Sequence, residues 1–95
     1  DEERELVERI YRGTIAAAVI RFFSVTGQYY DPLSIRLLIR TPSGAVLTFP
    51  VTRIGPGTYR AELTFDQAGV WVLRAEGEEP LRAVVEKRVE VVGDL

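Results

Sequence analysis

The residues able to do chemistry in this chain are few and scattered. Histidine is absent, and with it the commonest general base and zinc ligand. Nucleophilic catalysis would have to rest on Ser24, Ser34, Ser43, a threonine, a tyrosine or the single lysine, Lys87. None of these stands in a motif that supplies an activating base or an oxyanion hole. Among the carboxylates, Asp31 and Asp66 fall in loop-like stretches, and Glu76, Glu78 and Glu79 cluster near one turn. Calcium needs several converging oxygens, usually on a D-x-D type of spacing that this chain lacks. Paired acids for glycoside hydrolysis need a cleft and a desolvated partner, for which a chain of this length has little room. Gly55, Pro56 and Gly57 are glycine-rich, but no strand-to-helix context or lysine follows to make a phosphate loop. The expectation is therefore no enzyme, no metal and no cofactor.

Aromatic residues in a loop are the remaining candidates for a site. Residues 26–32, Thr-Gly-Gln-Tyr-Tyr-Asp-Pro, read as a loop, with Gly27 free to take positive φ and Pro32 pushing Asp31 into extended geometry. Tyr29 and Tyr30 are adjacent and cannot both point into one core, so one of them is exposed. It serves either as a rigid amphipathic anchor for a partner or as packing over the open end of the domain.

The elements that must position these residues are strands. Between Leu33 and Val91 nearly every odd-numbered position is apolar, while the even ones run to Arg, Glu, Ser and Thr. That period of two marks half-buried antiparallel strands. It is cleanest at Leu33, Ile35, Leu37 and Ile39, and again at Tyr59, Ala61, Leu63 and Phe65. Trp71, Leu73 and Ala75 should point inward, as should alternate residues of a long closing strand over 81–92. The turn at Pro42, Ser43 and Gly44 leads into a strand with Ala45, Leu47, Phe49 and Val51 inside. Pro50 cannot donate a ladder hydrogen bond, which places that strand at a sheet edge.

The first long strand, over 14–25, differs from the rest. Ala16, Ala18, Ile20 and Phe22 make one face apolar, and Ile15, Ala17, Val19 and Phe23 make the other apolar too, with Arg21 the only charge. In an antiparallel sheet such an outer face meets something other than water. Two covers are open: the acidic amino-terminal arm, residues 1–12, or another subunit. The arm itself reads equally as a short helix, a first strand or a mobile tail. The residues expected to bind a partner are Ile15, Ala17, Val19, Phe23, Tyr29 and Tyr30.

Length and charge narrow the setting. Ninety-five residues suit one domain, over 13–95, and one core. The net charge is -2, and residues 1–9 hold five acids and two arginines, or -3, leaving +1 for the remainder. Neither part is basic enough for nucleic acid, and no apolar run approaches a membrane span. No cysteine means no disulfide. The lack of Asn, Met and Cys suits a thermophile, though eleven Arg against one Lys fits a GC-rich genome equally. Residues 1–10 lack the pattern of a signal peptide. A start at Asp1 points to residues omitted, processed away or cut from something larger.

The order of motifs then becomes recognisable: an aromatic at Phe22 or Phe23, Gly27, Asp31 with Pro32, Pro42 to Gly44, Gly57 to Tyr59, and Gly69 to Trp71 before a Val-rich strand. Over residues 14–92 this resembles the small immunoglobulin-like modules of bacteriophage structural gene clusters. The resemblance implies an all-β, immunoglobulin-like antiparallel sandwich of six to seven strands. It also implies a non-enzymatic virion protein, such as a capsid decoration, head–tail joining or tail accessory subunit. Its partners would be other virion proteins or copies of itself in an oligomer or lattice, located in the virion. The same pattern is similar to that of bacterial surface and periplasmic sandwich domains, where a ligand- or glycan-binding or spacer role follows instead. The Asp66 to Trp71 stretch is a longer, Trp-containing version of the antibody-type tyrosine corner, so that corner's hydrogen bond is not expected to carry over.

Overall fold

The structure, a computed structural model, describes residues 7–93. Eight strands follow one another along these residues: β1 Val7–Tyr11, β2 Thr14–Arg21, β3 Ser34–Arg40, β4 Val46–Phe49, β5 Thr52–Gly55, β6 Thr58–Phe65, β7 Gly69–Glu78 and β8 Ala83–Val92. They form a five-stranded sheet in the order β1-β8-β7-β3-β4 and a three-stranded sheet in the order β2-β6-β5. The two sheets pack face to face around one apolar core.

That core is built by the alternation described above. On β6, Tyr59, Ala61, Leu63 and Phe65 are all buried while Arg60, Glu62 and Thr64 between them are exposed. Leu37 and Ile39 of β3, Trp71 and Ala75 of β7, and Val89 and Val91 of β8 meet them from the larger sheet. Trp71 is 3% exposed and stands edge-on to Phe65, with ring centroids 5.1 Å apart. Its indole N–H donates to the Gln67 carbonyl at 2.9 Å, so the largest side chain is buried with no unpaired polar atom. This is the corner the sequence departs from, closed here by an indole reaching back to the preceding turn. At the other end Phe22 packs against Tyr30 and Tyr59, with centroids 6.1 and 6.0 Å away. Gly77 of β7 leaves room for the Phe22 ring, which lies where a Cβ would stand.

Four features depart from expectation. Of the readings open for the arm, residues 7–11 take the first strand, but they do not cover β2, because β1 pairs in parallel with β8 at the edge of the larger sheet, Val7 opposite Arg88 through Tyr11 opposite Val92. Those residues belong to the sandwich, and one pairing in it is parallel. The strand around Pro50 divides in two, because the missing N–H interrupts the ladder and the chain crosses from β4 in one sheet to β5 in the other. With β1 and β5 both formed, the described residues make eight strands rather than six or seven. On β8 the inward row is buried only at Val89 and Val91. Val85 is 61% exposed and Leu81, before the strand, is also exposed, because three strands cannot roof five.

Truncation of Trp71 tests where the core's weight lies. Trp71→Ala should lose about 3–5 kcal/mol in urea unfolding, while Val85→Thr should change stability by less than about 0.5 kcal/mol. Equal losses at the two positions would contradict this assignment of the core.

Candidate interaction face

β2 carries its small and apolar residues on both sides, and the two sides meet different surroundings. Ala16, Ala18 and Ile20 face the core. Ile15, Ala17 and Val19 point away from it on the outer face of the three-stranded sheet, opposite Thr64, Glu62 and Arg60 of β6. Ile15 is 64% exposed and Val19 43%. Past the end of β2 the backbone makes a bridge between Phe23 and Tyr29, clasped by hydrogen bonds from Ser24 N–H to the Gln28 carbonyl and from Tyr30 N–H to the Phe22 carbonyl. The bridge keeps the same parity, so Phe23 continues the outer row. Its ring stands edge-on to Tyr29 at 6.4 Å, and the two are 62% and 51% exposed. Val25 at the tip is fully exposed.

The structure therefore brings five of the six expected contact residues together. Ile15, Ala17, Val19, Phe23 and Tyr29 form one stripe with Arg21 as its only charge, and Tyr30 turns the other way, half-buried against Phe22. Val25 extends the stripe and was not among the expected residues, although its odd number carried the signal. No described residue covers the stripe; of the arm expected as one cover, residues 1–12, residues 1–6 lie outside the described residues and residues 7–11 lie in the opposite sheet.

The loop that presents Tyr29 is anchored by Asp31. One carboxylate oxygen accepts from the Tyr59 hydroxyl at 2.8 Å, the Gly57 N–H at 3.0 Å and the Arg53 Nε at 3.0 Å. The other accepts from a second Arg53 nitrogen at 3.1 Å, which makes the pair bidentate. Gly57, at φ 59°, permits this approach, since a Cβ there would collide with the backbone carbonyls of Phe22 and Tyr30. Arg53 first, then Tyr59 and the Gly57 amide, holds the Asp31 carboxyl down to about 2. Tyr59 is pushed up, chiefly by burial and then by its bond to Asp31.

Several of the other candidate chemical groups are taken up locally. Glu76 sits between Arg36 and Arg74 at 2.7 and 2.8 Å, and Arg74 also reaches Glu86 at 3.0 Å. Arg74 and then Arg36 hold the Glu76 carboxyl below its usual range. The Ser24 and Ser43 hydroxyls bond to Thr26 and Thr41 at 2.8 and 2.9 Å, and Lys87 pairs with Glu8 at 2.9 Å. Among the described residues no group of three or more carboxylates or other ligands converges on a cation site.

No family model and no curated sequence matches the chain significantly. Solved structures do. A DUF4785 family protein from Legionella pneumophila subsp. pneumophila str. Philadelphia 1 superposes with a TM-score of 0.69 over 87% of this chain at 17% identity. The ZIG-8 IG1 homodimer matches 95% of this chain and 81% of its own, with a TM-score of 0.50 and 11% identity. The domain is an immunoglobulin-like β-sandwich. Identities this low speak to fold alone, and the chain spans about a quarter, 26%, of the Legionella protein's length.

The Asp31 anchor has a pH signature. An unfolded aspartate takes up its proton near pH 4, whereas the folded one does so near 2, so the anchor's contribution is whole above about pH 4 and is lost as pH falls from about 4 to about 2. Asp31→Asn should melt below the wild type at pH 7, and the gap should narrow across that window in circular-dichroism melts. Parallel curves for the two proteins would contradict the network.

Proposed function

We propose that this domain is a non-enzymatic interaction module of a bacteriophage virion, a capsid decoration, head–tail joining or tail accessory subunit. It works by protein–protein contact through the outer face of β2, with copies of itself or with other virion proteins. The observation that carries the contact is the row Ile15, Val19, Phe23 and Tyr29, exposed on one face, with the Phe23 and Tyr29 rings in contact. Soluble domains seldom leave aligned large apolar residues to water without a partner for them. The order of motifs from Phe22 to Trp71 supports the virion setting, and the ZIG-8 IG1 homodimer is a precedent for self-association on this fold.

One observation favours a second reading, a ligand-binding or spacer module within a longer bacterial surface or secreted protein. The Legionella neighbour carries this fold as about a quarter, 26%, of its chain. A glycan version of that role needs an aromatic platform. Tyr11 lies beside the start of β2, its carbonyl 2.6 Å from the Thr14 hydroxyl, and Tyr29 lies beyond the far end. At about 3.3 Å per residue the two stand roughly 30 Å apart, too far to share one sugar.

The test is sedimentation from micromolar to millimolar concentration, alone and with the products of flanking capsid and portal genes. The wild-type chain should associate, and Val19→Glu with Phe23→Glu should weaken that association more than about tenfold without lowering the melting temperature. A strict monomer that also fails to join shells lacking it would contradict the proposal. Glycan-array binding lost on Tyr29→Ala would move the assignment to the second reading.

A further inference from the structure

Four strands end the two sheets, and three of them are guarded. β4 is four residues long and stops at Pro50, and β5 is four residues long with a register shift between Arg53 and Gly55. β1 is only five residues long and carries two charges, Glu8 and Arg9, paired with Lys87 and Glu90 of β8. Short length, proline, irregular register and charge are the usual means of keeping an edge from pairing. β2 has none of these. It is eight residues long, regular in register throughout, free of proline, and charged only at Arg21.

The hydrogen-bonding groups on that edge can be assigned from the ladder. Phe22 N–H donates to the Gly57 carbonyl at 2.8 Å, continuing the register in which Arg21 stands opposite Thr58. Hydrogen-bonded and non-hydrogen-bonded pairs alternate in an antiparallel ladder. The even-numbered residues of β2 thus bond to β6, and Ile15, Ala17, Val19 and Arg21 direct N–H and C=O outward. Among the described residues no strand meets them.

Beneath this edge lies a groove of about 330 Å³. Ala16 and Ala18 are too small to fill it from above, and Ile10 of β1 with Val85 and Val89 of β8 form its floor, beside the ion pair of Glu8 with Lys87 at 2.9 Å. We infer that the free edge of β2 and the groove under it receive an extended strand from a partner protein, adding a fourth strand to the small sheet over the ledge of the large one. This rests on the interaction-module reading and names what the partner contributes.

The chemistry of the occupant follows from the lane. Its backbone pairs with Ile15, Ala17, Val19 and Arg21. Side chains opposite Ala16, Ala18 and Ile20 drop into the groove and are apolar. Side chains opposite Ile15, Ala17 and Val19 join the outer stripe, and the one opposite Arg21 is acidic, since Arg21 has no partner among the described residues. A second copy's β2 is a poor occupant, because its own β1 and β8 ledge would enter the same space. A single strand brings no ledge. Adding a strand to an open edge in this way is a general mode of peptide recognition, with main-chain bonds supplying affinity and alternate pockets supplying specificity.

The experiment is amide hydrogen exchange by NMR on the whole chain, with the capped peptide Glu-Val-Thr-Val-Thr-Val-Thr as the probe. In the isolated chain at micromolar concentration, the amides of Ala16, Ala18 and Ile20 should be protected and those of Ile15, Ala17, Val19 and Arg21 should exchange freely. Millimolar peptide should slow the second set by about tenfold or more. Ala17→Pro removes one outward N–H while sparing the β6 ladder, so it should keep the fold and lose the effect. Should that variant fail to fold, the peptide N-methylated at alternate residues carries the same test and should not bind.

Odd-numbered amides already protected in dilute isolated chain would place its own residues in the lane and overturn the inference. Protection that appears only with rising protein concentration would place a second copy there, with the same consequence. Peptide that leaves the wild-type amides unchanged, or that binds Ala17→Pro or binds in N-methylated form as well as it should bind the wild type unmodified, would also overturn it. Each of these leaves the stripe-dependent association intact. Loss of that association with strand capture retained would instead sink the virion-contact reading.

Discussion

Three strands facing five leave apolar surface with nothing to pack against, and that inequality governs the rest of this domain. The larger sheet is filled by β1 pairing with β8, an arrangement that takes residues 7–11 to the far side of the sandwich from the outer face of β2. β2 is left at the margin with apolar residues above and below it. Its inner alanines leave a groove where a roof would close the core, and its outer residues form a stripe toward solvent. Both surfaces belong to one strand, so a partner that engages the domain there can use side chains and backbone together.

A sandwich without a disulfide must fix its loops by other means. Trp71 closes the turn before β7 through its indole, and Asp31 ties the loop after β2 to Arg53 of β5, Gly57 in the turn and Tyr59 of β6. The second network holds the Phe23–Tyr29 bridge in place, so the outer stripe extends past the end of its strand as a shaped surface. The ion pairs on the outer face of the large sheet, among Arg36, Arg74, Glu76 and Glu86, are exposed at their arginines and add solubility more than stability.

Much of this was legible in the residues. The alternation on β6 named every buried side chain of that strand, Pro50 marked an edge, and the doubly apolar character of 14–25 set that strand apart from the others, although the cover expected over its outer face is not among the described residues. What was not legible depends on pairing between distant segments. Residues 7–11 alternate no better as a strand than as a helix, and only contact with β8 decides between them. Val85 has the same local pattern as Val89, yet it is exposed because of how many strands stand opposite, a property of the whole sheet. Asp31 reads as an ordinary residue before proline, and its partners lie 22 to 28 positions further on. Tyr29 and Tyr30 were separable as one in and one out, but the direction of each is set by the bridge to Phe23.

Among the described residues nothing lies over the outer face of β2, so that face stands open to solvent in the isolated domain. The most direct measurement is methyl NMR with a soluble paramagnetic gadolinium chelate. Ile15 and Val19 methyls should relax strongly and Ile20 methyls weakly, with the Phe23 and Tyr29 rings following Ile15. Ile15 and Val19 as well shielded as Ile20 would mean that the face is covered.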